Sequence, residues 1–338
     1  MVPTEVVAIS SDAPEPEAIQ RAARILRQGG LVAFPTETVY GLGADALLPS
    51  AVERIFAVKG RPADNPLIVH IARPADLNEI AREIPGCAAR LIEAFWPGPL
   101  TLVLPKSARV PLITTGGLET VAVRMPDHPV ALRLIEALGD PVAAPSANLS
   151  GRPSPTAAEH VLDDLGGRIE MILDAGPTSV GVESTVLDLT TSPPVILRPG
   201  GVTLEQLERV IGDVRMTAEA ERLRHSPGTR YRHYSPRARV LLIEAWDEEV
   251  HPKRLEAALG DVTTVGYIGS DRDVVGPGRI VHRILLSPEA EAYARRIFAA
   301  LRELDRRGVE VIVVEGIPDV GLGRAVMDRL RRAAEEIL

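Results

Sequence analysis

The sequence contains few cysteine, lysine and aromatic residues, and each shortage argues against a class of protein. Of 338 residues, one is cysteine (Cys87), three are lysine and eleven are aromatic. A single thiol cannot form an internal disulfide, so the chain does not resemble a disulfide-stabilised secreted domain. So few aromatic rings also provide little surface on which a nucleic-acid binder could stack bases.

Long apolar runs are missing as well. No stretch approaches the roughly 18–20 apolar residues that cross a bilayer, and the amino terminus has no basic segment followed by an apolar one. We therefore expect a cytoplasmic protein that does not bind membranes. Apolar residues make up 45% and charged residues 25% of the chain, which is typical of a folded globular protein. The length favours two domains.

The negative charge is concentrated in the first part of the chain. The net charge is −8, yet residues 216–338 carry 20 basic and 20 acidic groups, so the whole excess lies in residues 1–215. A general polyanion binder needs a broad basic surface, so non-specific coating of nucleic acid is disfavoured, whereas a local basic patch stays open. The 35 arginines suit forked contacts with phosphates and carboxylates, but a GC-rich genome or a thermophilic source gives the same bias.

The alternation of helix-like and strand-like segments predicts an α/β architecture. Near residue 200 the strands outnumber the crossover helices, so a mixed sheet flanked by helices is expected in a domain over 1–214. Predicted elements there include a helix over 75–83. Residues 215–238 form a predicted basic linker, and alternation resumes over 239–338 as a smaller Rossmann-like α/β domain with a parallel sheet.

Standard catalytic signatures are absent from the sequence. It has no P-loop, no dinucleotide-binding glycine pattern, no H-E-x-x-H and no G-x-S-x-G. The seven histidines lie far apart without the spacing of metal ligands, so no protein metal site is predicted.

Polar residues instead follow several predicted strands, where open α/β sheets commonly bind ligands. The blocks are FPTETVYGLG (34–43), KGRPADNP (59–66), TVAVRMP (120–126), AAPSANLSGRPSP (143–155), GVESTV (181–186) and ILRPGG (196–201). Gly41 and Gly43 in the first block would allow the backbone to approach a ligand closely. Each block alone could be ordinary loop chemistry, but together they favour one polar cavity that binds an anion.

Two residues of these blocks have alternative interpretations. His70 lies in an otherwise apolar strand, where a histidine is often a core residue rather than a ligand. Arg124 is delivered by an apolar strand, and a buried arginine must be paired, either with an internal carboxylate or with that of a ligand.

The blocks PTETVYGLG, KGRPADNPLIVHI, FWPGPLTLVL, VAVRMPDHP, APSANLSGRPSPT, GVESTVLDL and LRPG resemble the YrdC-type threonylcarbamoyl-AMP synthases. SPGTRYRHYSP and GLGRAVMDRLRRAA are similar to the two-domain form of this family. The resemblance implies that L-threonine, bicarbonate and ATP give threonylcarbamoyl-AMP and pyrophosphate. It also implies a downstream transferase that modifies tRNA, and Mg²⁺ accompanying ATP.

The resemblance also implies roles for individual residues. The threonine pocket would comprise Thr38, His70, Arg124, Ala144 and Ser184, with Thr36 as a neighbour. The nucleotide would be held by Arg61, Asn65, Thr120, Ser146, Ser154, Arg198 and Tyr231. The predicted catalytic residues are the three cations expected to lie closest to the reacting groups, namely Lys59, Arg61 and Arg124. Glu37 and Glu183 are candidate outer contacts of Mg²⁺, which would be bound mostly by phosphates and water.

The linker region contains several basic residues and two tyrosines: Arg230, Arg232, His233, Arg237, Arg239, Tyr231 and Tyr234. No acidic residue lies between Glu221 and Arg239. We expect the linker to close as a lid, with Tyr231 on the nucleotide; a solvated tether is the alternative. Thr229 replaces the methionine of the family pattern.

Two other functions stay open. A non-catalytic RNA-binding module would use the cavity for an RNA end, and direct tRNA binding is not decided by the sequence. Domains related to this family also handle carbamoyl-adenylate in metal-centre maturation, but there they usually accompany zinc-finger parts that need more cysteines.

Overall fold

The computed structural model describes residues 3–216, 234–271 and 280–338 of the chain, which divides into two compact units. The first unit comprises described residues up to 216 except 151–153. The second comprises 151–153 and the described residues from 234 onwards. Part of the predicted linker, and with it Tyr231, Arg230, Arg232 and His233, lies outside the described residues.

The first unit is built on a mixed sheet in the order β1-β8-β2-β3-β7-β4-β6-β5-β9-β10-β11. The strands are β1 (Glu5–Ala8), β2 (Val32–Phe34), β3 (Gly41–Asp45), β4 (Ile68–His70), β5 (Leu100–Pro105), β6 (Thr120–Arg124), β7 (Val142–Ala143), β8 (Met171–Asp174), β9 (Thr185–Asp188), β10 (Val195–Arg198) and β11 (Arg215–Met216). β4 pairs with β6 in parallel, whereas β5 and β6 are antiparallel. The expected mixed sheet is therefore confirmed.

Amphipathic helices complete this unit. They are α1 (Pro16–Arg27), α2 (Pro49–Lys59), α3 (Leu77–Ile80), α4 (Gly86–Phe95), α5 (Pro129–Leu138), α6 (Ala158–Leu165) and α7 (Leu204–Ile211). In α1 the buried side chains recur at helical spacing, from Ala18 and Ile19 through Ala22 and Ala23 to Leu26, so one face packs on the core. Proline begins the helix at Pro16, and Gly29 follows its end at a φ of 78°.

The second unit has a wholly parallel sheet in the order β14-β13-β15-β12-β16. Its strands are β12 (Arg239–Ile243), β13 (Val265–Gly269), β14 (Ile280–Leu285), β15 (Val311–Glu315) and β16 (Glu336–Ile337). Its helices are α8 (His251–Leu259), α9 (Ala290–Arg306) and α10 (Gly323–Ala333). This architecture confirms the expected smaller α/β domain with a parallel sheet. Within the unit, Arg302 Nε donates to Pro153 O at 3.1 Å.

Several details differ from the sequence-based expectations. The helix expected over 75–83 is a short turn, Pro74–Asp76, followed by α3, because Ala81 leaves the helix to form a β-bridge with Lys106. Residues 41–43, expected as part of a ligand loop, belong to β3, which lies between β2 and β7. No helix in the described ranges combines the length and apolar content needed to span a membrane.

Candidate active site

The loop between β2 and β3 places a carboxylate and two hydroxyls in the interior of the first unit. Thr36 Oγ1 lies 2.9 Å from Thr38 Oγ1 and accepts hydrogen bonds from the N–H groups of Thr38 and Val39. Val180 N donates to the backbone oxygen of Glu37 at 2.8 Å. These bonds hold the loop in one conformation, with the side chains of Glu37 and Thr38 buried.

Arg124 ends β6 with a guanidinium group that is almost fully buried. Its Nε donates to Gly98 O at 3.2 Å, and its Nη1 donates to Thr38 Oγ1 at 3.0 Å. Its Nη2 lies 2.6 Å from Glu37 Oε2. Of the two partners that the sequence left open, the structure shows the internal carboxylate, that of Glu37.

His70 lies beside Arg124, because β4 and β6 pair in a register that matches these two residues. Nδ1 of His70 is 3.2 Å from Ile68 O, and the imidazole packs edge-on to the ring of Phe34. Burial, together with the positive charge of Arg124, lowers the pKa of His70 to about 3. The histidine is therefore neutral at physiological pH and does not repel the guanidinium.

The remaining predicted threonine-pocket residues lie on neighbouring strands. Ala144 follows β7, and its N–H donates to Ile68 O at 2.9 Å, which fixes it next to β4. Ser184 precedes β9, two strands from β6 in the sheet, and its Oγ lies 2.8 Å from Thr101 Oγ1. Thr38 and Arg124 are therefore in direct contact, His70 and Ala144 adjoin them through the sheet, and Ser184 lies further along it.

An apolar patch occupies the same face of the sheet. Side chains two residues apart on a strand share a face, so Ile68 lies on the face of His70, and Ala122 on that of Arg124. Both belong to a buried cluster that also contains Val103, Val186 and Leu197. This cluster provides an apolar surface between the polar ends of the strands.

Arg198 and Ser154 each donate hydrogen bonds to the Glu183–Ser184 segment. Nε and Nη2 of Arg198 both donate to Ser184 O, at 3.2 and 2.9 Å. The hydroxyl of Ser154 donates to Glu183 Oε1. Because Arg198 and Ser154 are attached to consecutive residues, the structure brings these two predicted nucleotide contacts together.

Lys59 is buried at the end of α2 and holds the loop after β7. Its Nζ donates to the backbone oxygens of Ser146 and Asn148, while Ser146 Oγ donates to Asn148 Oδ1. Lys59 thus fixes the position of Ser146, a contribution that the phosphate role expected from the sequence did not include. Asn148 was not predicted from the sequence, although it lies in the same block.

Arg61 and Asn65 form a separate contact in the KGRPADNP loop. Arg61 Nη2 donates to Asn65 Oδ1 at 2.6 Å and to Pro66 O at 3.0 Å. Thr120 begins β6, so it lies about 13 Å along the strand from Arg124, given roughly 3.3 Å per residue. These predicted nucleotide residues therefore lie towards the strand ends opposite to His70 and Arg124.

Three linker residues lie elsewhere than expected. The ring of Tyr234 is buried in the second unit, stacked on Phe298 at 5.4 Å with Arg329 over its face. Arg237 Nε lies 3.4 Å from Asp305, and Arg239 Nε lies 3.0 Å from Glu335. The expectation that these three join an anion-binding linker is corrected, because they contact Phe298, Asp305 and Glu335 of the second unit, which are distant in sequence.

The described residues give no cluster of three or more histidine, cysteine or acidic side chains that could hold a metal ion. The two candidate outer contacts of Mg²⁺, Glu37 and Glu183, are engaged by Arg124 and Ser154.

Comparisons with known proteins agree along the whole chain. Residues 24–200 match the Sua5/YciO/YrdC family model, described as "Telomere recombination". Residues 202–335 match the model "Threonylcarbamoyl-AMP synthase, C-terminal domain".

Individual relatives cover nearly the full length. The chain is 53% identical over 327 residues to threonylcarbamoyl-AMP synthase of Pyrococcus abyssi, with 94% of each chain covered. It is 47% identical to the Bacillus subtilis protein of that name, with 94% of this chain and 92% of the relative covered. The crystal structure of P. abyssi Sua5 complexed with L-threonine superposes with a TM-score of 0.90 at 50% identity, covering 98% of each chain. The chain therefore belongs to the threonylcarbamoyl-AMP synthase family, in its two-domain form.

Proposed function

We propose that the chain converts L-threonine, bicarbonate and ATP into threonylcarbamoyl-AMP, pyrophosphate and water. Bicarbonate gives CO₂ with loss of water, and the threonine ammonium group loses a proton, so that the neutral nitrogen forms a bond to the carbon of CO₂ and gives a carbamate. A carbamate oxygen then bonds to the α-phosphorus of ATP as the bond to the β-phosphate bridging oxygen breaks and pyrophosphate leaves. This makes the enzyme a nucleotidyltransferase.

The buried guanidinium of Arg124 is the observation that carries the proposal. It is fixed by Gly98 and Thr38, so its orientation is set before a ligand arrives. A forked cation is the preferred partner of a carboxylate, and neutral His70 beside it adds no competing charge. The threonine complex of the P. abyssi relative supports an amino acid as ligand.

The nucleotide is proposed to extend from this pocket along the apolar patch. Arg198 and Ser154 meet at residues 183–184, Lys59 holds the loop of Ser146, and Arg61 is braced by Asn65. Phosphoryl-type transfers depend mainly on positioning and charge neutralisation, which such braced groups supply. Mg²⁺ bound to ATP would neutralise the remaining phosphate charge, and Glu183 is the nearest candidate for an outer contact.

The proposed product is an activated threonylcarbamoyl group, so a transferase that acts on tRNA is expected to consume it. ATP and tRNA are both intracellular, which is consistent with the single cysteine and a cytoplasmic site of action.

Pyrophosphate release tests the proposal directly. The protein should release pyrophosphate from ATP only when L-threonine and bicarbonate are both present. If release did not depend on threonine, a different acceptor would be indicated, and an absence of release would favour the RNA-binding alternative.

A further inference from the structure

Glu37 carries a buried carboxylate whose hydrogen-bonding capacity is largely unused. Its side chain is 94% buried, given a relative exposure of 6%. Neither Oε1 nor Oε2 has a hydrogen-bond partner of good geometry among the described residues, and Oε2 has only the close ion-pair contact with Arg124 Nη2. A buried carboxylate commonly accepts several hydrogen bonds, because leaving it unsatisfied is costly. The carboxylate of Glu37 can therefore still accept hydrogen bonds from a ligand.

The charges around Arg124 suggest which donor that is. Without a ligand, Glu37 neutralises the buried guanidinium. An amino acid is a zwitterion, so it could exchange both partners of this ion pair. Its carboxylate would pair with Arg124 in place of Glu37, and its ammonium group would pair with Glu37 in place of Arg124. The total charge of the pocket would not change, and no buried ion would be left without a counter-ion.

The surroundings of Glu37 also favour a cation. Partial burial and the negative charge of Glu37 raise the pKa of Asp127, which shows that the two carboxyls lie within electrostatic reach of each other. A positive group placed at Glu37 would relieve this repulsion. The hydroxyl of Thr38, the next residue, accepts a hydrogen bond from Arg124. None of the described hydrogen bonds joins this hydroxyl to Glu37.

We propose that Glu37 binds the α-ammonium group of L-threonine, and that its ion pair with Arg124 holds the place of the substrate when the pocket is empty. This inference rests on the proposed function, because it takes L-threonine as the ligand. It makes Glu37 a residue that selects amino acids over hydroxy acids.

The test compares L-threonine with 3-hydroxybutyrate, which keeps the carboxylate and the hydroxyl but lacks the amine. Calorimetry on the full-length wild-type protein should give at least a 100-fold tighter dissociation constant for threonine. In Glu37→Gln, threonine should bind at least 10-fold more weakly, whereas 3-hydroxybutyrate should bind more tightly, because its carboxylate no longer competes with Glu37 for Arg124. A weaker affinity for threonine together with a tighter affinity for 3-hydroxybutyrate would establish the role of Glu37.

Glu170→Gln is the matched control, since Glu170 also pairs with an arginine, Arg54 at 2.7 Å, outside the proposed pocket. It should leave both affinities unchanged. Equal losses of both ligands in Glu37→Gln would mean that Glu37 only supports Arg124, and unchanged affinities would exclude a role; either result overturns the proposal.

The comparison of the two ligands in the wild-type protein does not depend on how a variant folds. Equal wild-type affinities for threonine and 3-hydroxybutyrate would overturn the role of Glu37 while leaving the proposed function standing. A wild-type protein that bound no threonine would instead overturn the proposed function, and the inference with it.

Discussion

His70 and Arg124 occupy matching positions on two adjacent parallel strands, so a neutral imidazole lies beside a buried guanidinium. Their sequence separation is 54 residues, and only the pairing of β4 with β6 brings them together. The first unit thus forms a buried, charged site where several strands of a mixed sheet end. Four predictions follow from the contacts of this site and its supports.

Arg124→Lys should abolish measurable threonine binding while ATP still binds. Lysine keeps the charge but cannot contact Gly98 and Thr38 at the same time as a substrate carboxylate. Removing one partner of a buried ion pair commonly costs about 3–5 kcal/mol, which corresponds to a loss of affinity above 100-fold. Calorimetry with each ligand checks this, with Arg54→Lys as the control at an ion pair outside the pocket. Wild-type threonine affinity in Arg124→Lys would contradict the pocket assignment.

The stability of the protein should fall on acidification because of His70. The folded-state pKa, about 3, lies below the unfolded value of about 6.5, so the unfolded chain binds the proton more readily. The contribution of His70 is therefore complete above pH 6.5 and is lost as the pH falls towards 3, by up to about 1.4 kcal/mol per pH unit.

Denaturant unfolding between pH 7.5 and 5 measures this slope. His70→Gln should flatten it. Identical slopes in the wild-type protein and His70→Gln would show that His70 can be protonated without cost.

Lys59→Met should raise the KM for ATP more than the KM for threonine. The substitution leaves the backbone oxygens of Ser146 and Asn148 without their buried donor, which frees the loop that carries Ser146. Steady-state kinetics in both substrates separates the two effects. Lys106→Met is the control, because the side chain of Lys106 donates to Val110 O and not to the loop that carries Ser146. A selective rise in the KM for threonine would contradict this prediction, because it would mean that Lys59 supports the threonine pocket rather than the nucleotide site.

Gly43→Ala should destabilise the protein by about 1–3 kcal/mol through overpacking. A Cβ there would lie 2.8 Å from Phe34 Cε1 and 3.1 Å from Val142 Cγ1. Thermal melting should show the loss, and Phe34→Leu should partly relieve it in the double variant. Gly86→Ala, where a Cβ meets nothing within 4 Å, should leave the melting temperature unchanged. An unchanged melting temperature in Gly43→Ala would contradict this prediction, because it would mean that the side chains around β3 can move to accommodate the added methyl group.

The sequence predicted the α/β class, the mixed sheet and most strands, because apolar runs and helical periodicity are local properties. It missed β3, since Gly41 and Gly43 are poor strand formers and their extended backbone is imposed by pairing with β2 and β7. Both glycines also allow close packing, because an added Cβ would lie 3.2 Å from Ala144 Cβ at Gly41 and 2.8 Å from Phe34 Cε1 at Gly43.

The polar blocks predicted a candidate site, but not which of its side chains contact one another. Glu37 lies in a recognised block, yet its contact with Arg124 joins residues 87 positions apart and depends on the folded sheet. Thr101 was overlooked because it lies within an apolar strand, where a lone threonine is the only signal. Tyr234 and Arg237 were taken for linker residues because their partners, Phe298 and Asp305, lie more than 60 residues away.

The formation of the mixed anhydride is the central claim, and isotope labelling tests it most directly. The protein would be incubated with ATP, L-threonine and ¹³C-bicarbonate, and the products analysed by mass spectrometry. The account predicts threonylcarbamoyl-AMP carrying one ¹³C atom, formed in equal amount with pyrophosphate and absent when threonine is omitted. Pyrophosphate released without a ¹³C-labelled adenylate, or a labelled adenylate formed without threonine, would contradict it.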